Sequence, residues 1–229
     1  TIIHTGNDFS SYLRSANDKT CFFKPTNESE IIKIIRKMGS RKSAGHDNIN
    51  VDLIKSVANE IAEPLSIIFN VSLCSGIFPD EMKIAKVVPI YKKDNPEVFG
   101  NYRPVSVLPC ISKILERIVY NLSYDFLSKN NILYKKQYGF RTNHSTYMAV
   151  IDFINDVSRA IDDGMNTVGI FMDLSKAFDT IDHDILLAKL HHYGFRGISQ
   201  DWFRNYLSNR KQFVVYNSGK SQYENIKCG

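Results

Sequence analysis

The segment that most constrains this chain is Asn166–Leu174, NTVGIFMDL, a near-continuous apolar run that closes on a carboxylate, Asp173. A run of this length, bounded by a glycine on one side and polar residues on the other, predicts a strand buried on both faces. Asp173 then stands at its C-terminal end, where a sheet hands its side chains to a cleft or a turn. Taken alone, the residue is equally a strand-end carboxylate that caps a turn.

The surrounding patterns predict a helical first third followed by mixed helices and strands. NESEIIKIIRKM carries Ile31, Ile32, Ile34, Ile35 and Met38 at helical spacing, with Asn27 and Glu30 set as a capping box. Residues 39–50 are polar and rich in turn formers. VDLIKSVANEIAEPLSIIFNVSLCSG reads as two helices, the second starting near Pro64 and stopping at Gly76. AKVVPIY at 85–91 and VSVL at 105–108 predict two strands of a hairpin across a loop holding Asn95, Pro96, Gly100 and Asn101. One apolar stripe from Ile111 to Phe126 and another from Val150 to Ile161, the latter ending at Gly164, predict long helices with core-facing sides. Helices follow at about 184–193 and 199–208, and KQFVVYNSGKSQYENIKC closes as a hairpin turning at Asn217, Ser218 and Gly219. This order lacks the regular alternation of a doubly wound sheet and predicts an α+β chain.

Bulk properties narrow the class. With 229 residues, 43% of them hydrophobic, the chain can bury one large or two small cores. No apolar run reaches the roughly 18 residues of a spanning helix, and the first residues lack the layout of a secretory signal. Cys21, Cys74, Cys110 and Cys228 fit neither a metal knuckle nor a compact disulfide framework and read as reduced thiols, mostly packing. The net charge of +5 permits an anionic partner without demanding one. A chain that begins at Thr1 and stops at Gly229 just after a strand-like segment is expected to be a piece of a longer polypeptide.

Four separated motifs in order then identify a resemblance. IFMDLSKAFDTIDH at 170–183 looks like the first catalytic motif of the reverse transcriptases of non-LTR (LINE-like) retrotransposons. RPVSVLPCISKILERIV at 103–119 and QYGFRTNHST at 137–146 are similar to their two fingers motifs, and KSAGHDNINVDLIK at 42–55 resembles the segment just upstream. The resemblance implies a right-hand polymerase fold: a helical N-terminal extension at 1–80, fingers at 81–165 and a partial palm at 166–229. It implies an RNA-directed DNA polymerase that binds RNA template, DNA primer and dNTP in the nucleus or cytoplasm. Nucleotide addition in such enzymes is an in-line displacement assisted by two Mg²⁺ ions.

Residue by residue, the resemblance makes Asp173 the catalytic metal ligand and the carbonyl of Leu174 a further one. Phe178 matches the aromatic position beneath the sugar, a steric filter against ribonucleotides, although its residue type equally suits a core. Arg103 and Arg141 are expected at the triphosphate or the template, and Gln137 and Gly139 beside the template. Lys92 and Lys93 serve equally as solvated surface charge, and the basic residues across 83–93 and 135–141 are candidates for a template channel. Asp179, Asp182, His183 and Asp184 read as capping residues of the following helix, and His191 and His192 as surface or packing residues.

The family continues into a Pro-Gln-Gly segment and a strand pair with two adjacent aspartates, neither of which occurs here after Asp173. One carboxylate cannot hold two metals, so the chain by itself is expected to be inactive. An inert or repurposed nucleic-acid-binding remnant is the alternative, and a metal-dependent hydrolase built on the aspartates after 173 ranks last.

Overall fold

The computed structural model describes residues 9–13, 16–39, 43–174, 176–217 and 219–226. They form two compact units: the described residues up to 126 with those from 178 onward, and those between 127 and 177. The turn residue Ser218 and the thiol Cys228 lie outside the described residues.

In the first unit, α1 (Glu28–Lys37) starts where the sequence places it. The Asn27 side chain accepts from the Glu30 amide at 3.0 Å, while the Glu30 carboxylate takes the Thr26 hydroxyl at 2.8 Å instead of reaching back to Asn27. Ile31, Ile34 and Ile35 of α1 are buried with Val51 and Ile54 of α2 (Val51–Ser56). The next helix, α3 (Ala58–Ser75), corrects the expected boundary: it starts six residues before Pro64, which lies in its interior. Pro64 lacks the N–H that would bond the Glu60 carbonyl, but the helix is held by burial of Ala58, Ala62, Leu65, Phe69 and Leu73. It ends at Gly76 in the left-handed conformation, φ +71°.

A short 3₁₀ turn at Asp80–Lys83 leads into β1 (Ile84–Tyr91). This strand pairs antiparallel with β2 (Tyr102–Val107), from Tyr91 opposite Tyr102 to Lys86 opposite Val107, which is the expected hairpin. Its other edge pairs parallel with β3 (Lys211–Tyr216), from Ile84 opposite Lys211 to Val87 opposite Val214. That ladder stops two residues before Pro89, which has no amide hydrogen to extend it. The chain then returns along β3 as two short strands, β4 (Gly219–Lys220) and β5 (Glu224–Asn225), giving the order β2-β1-β3-β4 with β5 also on β3.

Helix α4 (Cys110–Lys129) buries Ile114, Leu115, Ile118 and Val119 against the core of α1, α2 and α3. Helices α6 (His183–His192) and α7 (Ile198–Leu207) match the expected spans, and Trp202 of α7 completes the same core. Asp182 caps α6 by accepting from the Ile185 amide, as the capping reading of this acidic stretch expects. Gly194, between α6 and α7, has φ +107°, and a Cβ there would stand 2.4 Å from the Lys19 carbonyl oxygen. The extended segment before α1 runs this close because the Cys21 amide donates to the Gly194 carbonyl.

In the second unit, α5 (Thr146–Asp162) is capped by Ser145 and ends before Gly164, as expected, but it buries none of its residues. The expectation of a core-facing stripe is therefore corrected: Val150, Phe153, Ile154 and Ile161 are exposed. The predicted strand over 166–174 is corrected as well. The run has no regular structure, and Val168, Ile170, Phe171 and Met172 are each at least 80% exposed. A strand exists only through an edge that accepts its hydrogen bonds. Among the described residues every strand of the sheet is drawn from 84–91, 102–107 and 211–225, and none pairs with 166–174.

Candidate functional site

Five sequence-predicted residues gather into two local groups in the second unit. The turn before α5 brings together Gln137, Gly139 and Arg141: the Gln137 amide side chain donates to the Gly139 carbonyl at 3.3 Å, and Arg141 Nη1 donates to the Tyr134 carbonyl at 3.0 Å. The Gln137 amide also donates to Tyr134, so one carbonyl closes both ends of the turn. Arg141 is half-buried, and its Nε is buried with no hydrogen-bond partner among the described residues. The turn is pinned to α5 by the Tyr138 hydroxyl on the Asp152 carboxylate and by the Lys136–Asp156 ion pair. Those contacts raise the pKa of Lys136 and lower that of Asp156, each stabilising the other's charge through a side-chain hydrogen bond.

Asp173 and Leu174 form the other group, at the end of the exposed apolar run. Both are exposed, and neither is held by a strand. Phe171, two residues earlier, touches Phe153 of α5 edge-on at 5.6 Å, which is the packing that tethers this run. Phe178 and Arg103 belong to the first unit. Phe178 lies in the turns before α6 with 64% of its surface exposed, so the core reading of this ring does not describe it. Arg103 is exposed on β2 opposite Ile90, and Lys92 and Lys93 are exposed just beyond β1.

A hard divalent cation takes about six oxygen ligands or more in a tight shell. Among the described residues no three His, Cys, Asp or Glu side chains converge. Asp173 and the Leu174 carbonyl thus offer part of a ligand set and do not fit a two-metal centre by themselves. No described helix is long and apolar enough to cross a membrane.

The family comparison adds the decisive observation: residues 90–229, which include both groups, match the family model described as reverse transcriptase (RNA-dependent DNA polymerase). The chain belongs to the reverse transcriptase family. It is 32% identical over 192 residues to the probable RNA-directed DNA polymerase from transposon BS of Drosophila melanogaster, covering 83% of this chain and 21% of that protein. It is 30% identical to the RNA-directed DNA polymerase from mobile element jockey of the same species, over 78% of this chain and 20% of the relative. The corresponding figures for the probable polymerase from transposon X-element are 26%, 90% and 23%. The resemblance drawn from the motifs, to reverse transcriptases of LINE-like elements, therefore holds, and this reverse transcriptase chain spans about a fifth of the length of those relatives.

Sequence reasoning missed several features of the first unit. Tyr206 of α7 donates its hydroxyl to Glu116 of α4 at 2.8 Å, and the Arg210 guanidinium stacks over the Tyr206 ring at 4.6 Å. Burial holds the Glu116 carboxyl above its ordinary pKa, against the lowering effects of Tyr206, Arg210 and Lys113. No periodicity signals such a cross-helix triad. Lys220 and Tyr223 also went unremarked, although the alternation of basic and aromatic residues in KQFVVYNSGKSQY was visible.

Proposed function

We propose that this chain is the N-terminal part of an RNA-directed DNA polymerase domain, with the right-hand layout of a helical extension at 1–80, fingers at 81–165 and part of the palm at 166–229. What carries the reading is the reverse transcriptase match over residues 90–229, within which Asp173 presents an exposed carboxylate. The substrates are an RNA template, a DNA primer and dNTPs.

In this reading Asp173 and the Leu174 carbonyl would hold part of the ligand set of a Mg²⁺ ion. A metal bound there would supply charge neutralisation to the nucleotide addition. Arg103 and Arg141 hold the triphosphate or template as fixed forks of N–H donors. The Tyr134 carbonyl and the Asp152 and Asp156 contacts pre-set the turn that presents Gln137, Gly139 and Arg141. Phe178 excludes a 2′-hydroxyl.

Primer extension on an RNA template with dNTPs and Mg²⁺ tests the reading, using the longest polypeptide that carries this domain. Template-dependent DNA product is expected. Nucleic-acid binding without extension would instead favour a repurposed or inert remnant.

A further inference from the structure

We propose that one face of the mixed sheet in the first unit is a platform for a single strand of nucleic acid, with Tyr223 stacking on a base and Lys86, Lys220 and Arg103 on its phosphates. The proposal rests on the polymerase reading above and joins Lys86, one of the basic residues of 83–93, to Lys220 and Tyr223, which no motif assigns.

The registers put these residues on one side. Residues directly opposite in neighbouring strands project to the same face. Lys86 is opposite both Val107 and Phe213; four residues along β1 and β2 Ile90 is opposite Arg103, and two residues along β3 Val215 is opposite Lys220, all even steps that keep one face. Tyr223 meets the Phe213 ring at 5.0 Å, and Lys220 Nζ lies 4.3 Å over Phe213 and 4.9 Å over Tyr223, donating to the Tyr223 hydroxyl at 3.3 Å. Phe213 is buried beneath this pair, while Tyr223 remains 48% exposed. Lys220 and Tyr223 thus fix each other, with a cation and an open aromatic ring side by side.

The charge on this face has one sign. The strand residues that share this face, alternate positions along β1 to β5, include no carboxylate. Asp80 lies near Lys211, whose charge it partly offsets, but Lys86, Arg103 and Lys220 have no ion-pair partner among the described residues. From β2 to β4 the cations span three strand spacings, about 14 Å. That breadth suits successive backbone phosphates better than one triphosphate. A cationic surface with an open aromatic ring is the chemistry that binds single strands without reading their sequence.

Fluorescence anisotropy of the full chain with a labelled single-stranded oligonucleotide, RNA and DNA in separate arms, tests the platform across a salt series. Lys86→Gln and Lys220→Gln should each reduce the slope of log affinity against log salt by about 0.7. Tyr223→Ala should weaken binding at least about five-fold with the slope little changed, and Tyr223→Trp should restore it. Lys37→Gln and Lys55→Gln, on helices of the same unit, should have less effect, and thermal melts check that each variant folds. Oligonucleotide binding unaffected by changes at 86, 220 and 223 would overturn the platform and leave the polymerase reading intact. No binding by the wild-type chain would also overturn it, and the polymerase reading would then be judged separately by primer extension.

Discussion

The indole Nε1 of Trp202 donates a 3.1 Å hydrogen bond to the hydroxyl of Ser72, joining α7 to α3 across 130 positions of sequence. The Ser72 hydroxyl in turn donates a hydrogen bond to the Ile77 carbonyl at 2.6 Å, while Phe78 and Phe23 meet the indole edge-on and Tyr206 stacks on it. Trp202 is the chain's single tryptophan and is fully buried. Trp202→Ala should therefore cost about 3–5 kcal/mol of stability, read from urea unfolding followed by circular dichroism. In the wild type, tryptophan emission should shift to the red in the same transition. A cost below about 1 kcal/mol would mean that this contact does not anchor α7.

Glu116 gives the first unit a pH signature. Its carboxyl titrates above the ordinary 4.5 in the folded chain, with burial the main cause. The folded state therefore holds this proton more tightly than the unfolded state does. The resulting stabilisation is complete below pH 4.5 and is lost as the pH rises through the raised value. Glu116→Gln removes the titration, so its melting temperature relative to wild type should rise between pH 4 and pH 7. A difference independent of pH would contradict this.

The apolar run from Met165 to Leu174 and the stripe of α5 leave a series of large apolar side chains exposed, the kind of surface that promotes association. The chain should bind 8-anilinonaphthalene-1-sulfonate and sediment with a concentration-dependent mass. Ile170→Lys together with Met172→Lys should reduce both effects. Weak dye binding and a constant monomer mass would show that this surface is covered.

Phe178 lies in the turns ahead of α6 with 64% of its surface exposed. In an extension assay with the active polymerase, Phe178→Ala should raise ribonucleotide incorporation relative to dNTPs by about ten-fold or more, the scale of one steric clash worth about 1.4 kcal/mol. Unchanged discrimination would remove the ring from the sugar pocket.

Local signals were legible in the sequence wherever they are written within one turn or one hairpin. The Asn27 cap, the Gly76 stop, the Ile84–Tyr91 and Tyr102–Val107 hairpin and the Asp182 cap all follow from neighbours a few residues apart. The parallel pairing of Ile84–Val87 with Lys211–Val214 does not, because a strand's period says nothing about a partner more than a hundred residues away. Pro64 misled because a proline marks a helix start only where burial does not carry the helix through it. The 166–174 run misled for a related reason: apolar content predicts burial, yet a strand also requires an edge to pair with, and composition cannot supply one. At the candidate site, residue types identified Arg141 and Gln137, while the Tyr134 carbonyl that closes their turn leaves no trace in side-chain chemistry.

Replacing Asp173 with asparagine probes the carboxylate itself, because the amide keeps the shape and removes the charge that would hold a divalent cation. Single-turnover dNTP incorporation should be measured on the longest polypeptide carrying this domain, beside its affinity for the primer–template. Asp173→Asn should lower incorporation by a factor of about 10³ or more, several kcal/mol of metal-assisted stabilisation, with primer–template affinity within about two-fold of wild type. Incorporation at the wild-type rate would contradict the assignment of Asp173 as the metal-binding carboxylate.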